Sequence, residues 1–236
     1  MLDNVKITSE YGDSHGKMAA GFALLDCYSP LVDKCYFWGA AEYGLLYRSE
    51  IYSEDGIVSD SYFVGQDTGI RVRLSDRTDG WGEPAFHLTD SHIHYKVKGL
   101  ALKGIRQGFV SGNLFYCFNR AASRWHADPD SVSSYTSKDI ECDAVNDFIV
   151  SHNQFTEPAS PNRVCIDILP NSGNLLIDGN IFNMDGTAIR NRSQISSRCI
   201  GNVYTGSPDF TKSADGANAL IRYVDPNGTL KTLDFE

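Results

Sequence analysis

No stretch of this chain stays apolar for the ~20 residues that a membrane-spanning helix needs. Its first residues, MLDNVKITSEYGDSHGK, lack the basic-then-apolar order of a secretion signal. None of its six cysteines (Cys27, Cys35, Cys117, Cys142, Cys165 and Cys199) forms a C-x-x-C pair, which removes the usual zinc and redox spacings. They sit among apolar or β-prone neighbours and are expected to be buried free thiols, in a protein made in a reducing cytoplasm. Positive charge is scarce, with 21 Lys and Arg against 30 Asp and Glu for a formal charge of −9. Non-specific binding to nucleic acid or insertion at an anionic membrane is therefore not expected. Phosphate-binding loops, a Ser-His-Asp order and zinc signatures are missing, so no cofactor is expected. His92 and His94 share a strand face in HIHY, but no third ligand follows at a metal spacing, and no metal site is expected. Helical periodicity is nearly absent too.

What is present is a repeat. Segments AGFALLD (20–26), YGLLYRS (43–49), TGIRVRLSD (68–76), KGLALKG (98–104) and TAIRNRS (187–193) each set a small residue before an apolar-x-apolar alternation. Between them recur PLVDKCYF, GIVSDSYF, FVSGNLF, IVSHNQF and LIDGNIF, where apolar residues lead through a polar turn into an aromatic or aliphatic residue. Asn113, Asn153, Asn180 and Asn202 fall at the same turn position, where amides could ladder. The residue after the small position falls at Phe22, Leu45, Ile70, Leu100, Ile140, Ile166 and Ile189, at intervals of 23, 25, 30, 40, 26 and 23. A minimum near 23 with expansions marks coils of a solenoid with loops inserted in some of them. A β-sandwich would give hairpin turns and longer alternating strands. The expected fold is all-β, a right-handed parallel β-helix of about seven rungs over residues 1–205. Hydrophobic content of 42% suffices for its core. Residues 206–236 depart from the repeat. There, DPNG between two alternating runs predicts a hairpin that caps the solenoid or helps it trimerise. Val5 and Ile7 already read as strand, as in a chain that begins inside a longer protein.

Aligning the rungs fixes which charges face out together. The outward row runs Ala23 and Leu25, Leu46 and Arg48, Arg71 and Arg73, Ala101 and Lys103, Glu141 and Asp143, Asp167, then Arg190 and Arg192. With rungs ~4.8 Å apart and outward neighbours along a strand ~6.7 Å apart, Glu141, Asp143 and Asp167 should cluster. Two carboxylates at such a separation suit inverting glycoside hydrolysis, one as acid and one as base. Crowding of like charges should raise one pKa and leave a proton available near neutral pH. The same residues also fit a solvated acidic ledge. The insertion CFNRAASRWHADPDSVSSYTSKD leads into the carboxylate strand and should wall it with Arg124, Trp125 and His126. A second insertion carries Trp81. Aromatic rings stack on sugar faces, and Arg73, Lys103 and Arg190 are placed to bind hydroxyls or acidic groups.

The runs CIDILPNSGNLLIDGNIFNMDGTAIRN and DCYSPLVDKCYFWGAAEYGLLYRS resemble rungs of pectate-lyase-like β-helices, particularly bacteriophage tailspikes. The resemblance spans roughly residues 1–205. It implies a homotrimer on a virion tail that binds and cleaves bacterial surface polysaccharide, O-antigen or capsule. Endoglycosidase tailspikes are similar in setting acidic residues on outward strand positions beside insertions, and Glu141, Asp143 and Asp167 match that arrangement. The sequence departs from the family in length, since tailspikes usually carry more rungs, an N-terminal particle-binding domain and a longer C-terminal trimerisation region. The leading expectation is an endo-acting glycoside hydrolase (a polysaccharide depolymerase) that uses the outward carboxylates; the alternatives are a non-catalytic module for host receptor binding and a lyase on a uronate-containing polymer. The last would draw its base from Arg48, Arg73, Lys103 or Arg190.

Overall fold

The computed structural model describes residues 1–8, 18–39, 41–76, 82–117, 137–156, 163–184, 186–195 and 197–205, and the backbone of 208–212, 220–224 and 230–234. Among these residues all regular structure is β-strand. The strands wind into a solenoid-like parallel sheet with three faces, each a stack of strands from successive turns. One face stacks Met18–Leu25, Ala41–Arg48, the end of Tyr62–Arg73, the middle of His92–Ser111, the start of Ser137–Ser151, Arg163–Ile168 and Gly186–Asn191. The long strands pass round corners, and His92–Ser111 pairs on all three faces.

The register on that first face follows the expected alignment. Phe22, Leu45, Ile70, Leu100, Ile140, Ile166 and Ile189 are paired in succession, and all are buried. The small position ahead of them has a steric cause. A Cβ on Gly69 would stand 2.8 Å from the Gly99 carbonyl oxygen, and one on Gly99 would stand 2.6 Å from that of Asp139. At these two glycines the backbones of adjacent turns approach too closely for a side chain, whereas later turns carry Asp139, Cys165 and Ala188 at the same position. Inside the solenoid, stacked rings fill the core: Phe115, Phe155, Phe182 and Tyr204 follow one another at 5.3, 4.8 and 5.0 Å. All six cysteines are free, and all but the partly exposed Cys27 are buried.

The expected asparagine ladder forms and extends beyond asparagine. Asn113 Nδ2 donates to Asn153 Oδ1 at 2.9 Å, Asn153 to Asn180 at 3.0 Å, and Asn180 to Asn202 at 2.9 Å. On earlier turns hydroxyls take over: Ser61 Oγ accepts from Cys35 N, Ser91 Oγ from Ser61 N, and Asn113 Oδ1 from Ser91 N. The residue before each rung of the ladder turns the corner with positive φ. Lys34, Asp60, Asp90 and His152 do so at 46–55°, and Gly112, Gly179 and Gly201 occupy the same place. Aspartate and glycine suit that left-handed conformation, which explains the recurrent S-D, T-D and S-G pairs. At the C-terminus, Leu220–Val224 pairs in parallel with Arg198–Thr205 and antiparallel with Leu230–Asp234.

Candidate functional site

Charge is gathered on the first face. Its outward row pairs Ala23 with Leu46, Leu46 with Arg71, Arg71 with Ala101, Ala101 with Glu141, Glu141 with Asp167 and Asp167 with Arg190. Glu141 and Asp167 therefore sit side by side on adjacent turns, with Asp143 two residues along from Glu141. The alignment is as expected; the surroundings differ. Glu141 is 7% exposed and Asp167 0%, so neither forms a solvated ledge. Only a backbone direction was legible in the alternation, and the neighbouring cations cover what points outward.

Those cations form a network. Lys98 Nζ donates to Glu141 Oε1 at 2.6 Å, and Lys138 Nζ bonds Glu141 Oε2 and approaches Asp167 Oδ2 at 2.9 Å. Arg190 grips Asp167 with two prongs, Nε to Oδ1 at 3.0 Å and Nη2 to Oδ2 at 2.7 Å. Arg192 repeats the grip at 3.2 and 2.7 Å. Burial alone would push both carboxyls up. The hydrogen bonds and charges of Lys138, Lys98 and Arg190 outweigh it, and Glu141 and Asp167 titrate below their ordinary values of 4.5 and 3.8. The expected rise of one carboxyl pKa is thus reversed, because cations stand between the acids. Asp143 is half-buried, with Lys103 Nζ 3.9 Å away. Lys103 lies closer to Asp76, at 3.0 Å, and Arg73 also pairs with Asp76. First Arg73 and then Lys103 hold the Asp76 carboxyl down at about 2.

Towards the N-terminal turns, the same face opens into a groove of about 400 Å³. Arg48, Arg71, Arg73 and Lys98 line it, with Tyr43 and Leu46 among its walls. No carboxylate among the described residues lines it. Arg48 is paired with Glu50, Arg73 with Asp76 and Lys98 with Glu141. Lys98 thus belongs to the groove and to the carboxylate network at once. Sequence alone does not single out Lys98 and Lys138, yet a signal exists: they pair with each other, two residues ahead of the aligned Leu100 and Ile140. Of the other expected binding residues, Arg124, Trp125, His126 and Trp81 lie outside the described residues.

A separate pair of charges lies inside the solenoid. Arg163 donates through Nε and Nη2 to both Asp139 oxygens, at 2.9 and 2.7 Å, and Tyr95 Oη donates to Asp139 at 2.6 Å. Arg163 Nη1 also reaches the Thr156 carbonyl, at 2.8 Å. The pair is sealed from solvent and belongs to the core, not to the site.

No protein-family model matches the chain, and no curated protein matches it in sequence. Solved structures do match in fold. The chain is similar to PfbA, a surface adhesin of Streptococcus pneumoniae, at 12% identity and a TM-score of 0.61, covering 94% of this chain and 57% of that one. It is similar to a GH136 lacto-N-biosidase from Eubacterium ramulus at 12% identity and 0.60, covering 92% and 48%. A tailspike protein of E. coli bacteriophage HK620, solved in complex with a pentasaccharide, aligns at 14% identity and 0.51, covering 93% and 46%. The chain spans about half the length of each of these proteins. At such identities the likeness is one of fold.

Proposed function

We propose that the chain is a tailspike-like module that binds bacterial surface polysaccharide, O-antigen or capsule, along its charged face. The observation that carries this is the gathering of cations, carboxylates and the groove onto one face of a rigid parallel stack. Such a scaffold holds polar groups at a fixed spacing along an extended polymer. The lacto-N-biosidase and the pentasaccharide-bound tailspike lend support by fold alone. In this reading the solenoid is right-handed, has about seven rungs and is closed by the 206–236 hairpin. Its place is a virion tail, as a homotrimer acting in host receptor binding.

Hydrolysis is the second reading, favoured by Asp143. It is the most open of the three carboxylates, ~6.7 Å along the strand from Glu141, within the range that two-carboxylate glycosidases use. In this reading Asp143, whose ion partner Lys103 stands 3.9 Å away, serves a water or a sugar with Glu141 as the second carboxylate, and Asp167 holds the cations in place.

The test is incubation with a panel of purified capsular and O-antigen polysaccharides, read by retention, size exclusion and product mass. Binding without shortening of the chains is the expected outcome for a receptor-binding module. Shortened chains that lack an unsaturated uronate would establish hydrolysis, and Asp143→Asn should then cut turnover by ~10²–10⁴-fold. An unsaturated uronate would instead assign elimination by a basic residue. Retention of no polysaccharide would sink the proposal.

A further inference from the structure

The groove on the charged face differs in chemistry from the carboxylate network beside it. Four cationic side chains line it, and the acids that pair with three of them are not among the residues that line it. The fourth, Arg71, has no ion pair among the described residues. Its register explains this: Arg71 is paired with Leu46 on the preceding turn and Ala101 on the next, and neither can accept a hydrogen bond through its side chain. The Nε of Arg48 is also buried and unpartnered.

A neutral sugar would cover Arg71 and leave its charge without a counterpart, which costs binding energy. A bare ion would leave most of a groove of about 400 Å³ unfilled, along with the Tyr43 and Leu46 walls. A sugar ring bearing an anionic group satisfies both halves. The ring lies against the apolar wall, and the anion meets guanidinium groups whose planar forks suit carboxylate and phosphate oxygens. That the protein as a whole is acidic, at −9, makes the local concentration of positive charge a feature of this groove and not of the surface at large.

We infer that this groove seats an acidic sugar of the bound polysaccharide, with Arg71 as the anchor for its carboxylate or phosphate. The inference rests on the charged face being a glycan-binding surface. It adds the class of glycan and the residue that selects it.

The experiment measures affinity for each polysaccharide retained from the panel, before and after removal of its acidic groups. Carbodiimide–borohydride reduction removes carboxylates, and hydrogen fluoride removes phosphodiesters, so the two arms separate the sources of the anion. Retained polysaccharides are expected to be acidic and to lose at least tenfold in affinity in one of these arms. Arg71→Ala should lose at least tenfold on the untreated polymer with an unchanged melting temperature, and Arg71→Lys should recover part of the loss. Equal retention of neutral polysaccharides, or affinity that survives both treatments, overturns the inference while leaving glycan binding intact. Retention of none overturns glycan binding itself, and the inference with it. The chemical arms use the unaltered protein, so they decide the matter even if Arg71→Ala fails to fold.

Discussion

Asp139 and Arg163 have no exposed side-chain surface, and each is the other's counter-charge. Removing one leaves a buried, uncompensated charge. Asp139→Ala or Arg163→Met should therefore cost about 3–5 kcal/mol in urea denaturation, whereas the double variant should cost less than either alone. An additive double variant would show that the pair is not coupled. Strict alternation from Glu141 puts Asp139 outward, yet Asp139 and Ile140 are both buried, so the two-residue period breaks there. Alternation was legible within a face and blind at its ends. Glu141 and Asp167 make a pH-dependent contribution of calculable sign. Their carboxyls titrate lower in the folded chain than in the unfolded one, so the unfolded chain binds more protons in acid. Their stabilisation is whole above the ordinary carboxyl values of 4.5 and 3.8 and is lost as pH falls through the lowered ones. Thermal melts below pH 4.5 should show this acid limb, and Glu141→Gln with Asp167→Asn should flatten it. An unchanged limb in that variant would place the acid sensitivity in other carboxyls.

At the level of elements, the turn ladder was half legible. Asparagine at four aligned turns was plain in the sequence, but Ser61 and Ser91 serve the same purpose on earlier turns with a different side chain. A repeat kept in hydrogen bonding and not in residue type escapes alignment by letters. The ladder supplies its own control experiment. Asn153 Oδ1 accepts from Asn113 N at 3.0 Å, and Asn153 Nδ2 donates to the Val110 carbonyl at 2.9 Å. Asn153→Ala should orphan the buried Asn113 N–H at a cost of about 1–3 kcal/mol, seen in urea denaturation. Asn153→Ser, with a hydroxyl like those at 61 and 91, should cost less. Equal costs would mean that the side chain serves by volume alone. The cation network, by contrast, depends on which residues share a face across gaps of 23 to 43 positions, from Arg190–Asp167 to Lys98–Glu141. Apart from Lys138 and Glu141, which lie three residues apart on one strand, its members carry no local pattern, and only the register brings them together.

For the whole molecule, a second face, away from the charge, is largely apolar along its outward row. That row pairs Leu31 with Ile57, Ile57 with His87, His87 with Phe109, Phe109 with Ile149 and Ile149 with Leu176. Ile57 and Ile149 are 40% and 41% exposed. Such a stripe is what side-by-side packing of solenoids in the proposed homotrimer would cover. Light scattering at micromolar concentrations should then give a trimer for the parent protein and a smaller species for Ile57→Asp with Ile149→Asp. A monomeric parent would refute the trimer. The repeat, the all-β class and the stacking order were all readable in the sequence because one coil cannot bury its own apolar side, so each must repeat the pattern of the next. The parallel stacking has a mechanical consequence as well. Bonds between turns all run along the solenoid axis, in three stacks that cross every gap together. A pull along the axis loads the three stacks in parallel, while a sideways tug at one end peels them bond by bond. The molecule is built as a strut that bears end-on force and yields to tearing from its tip.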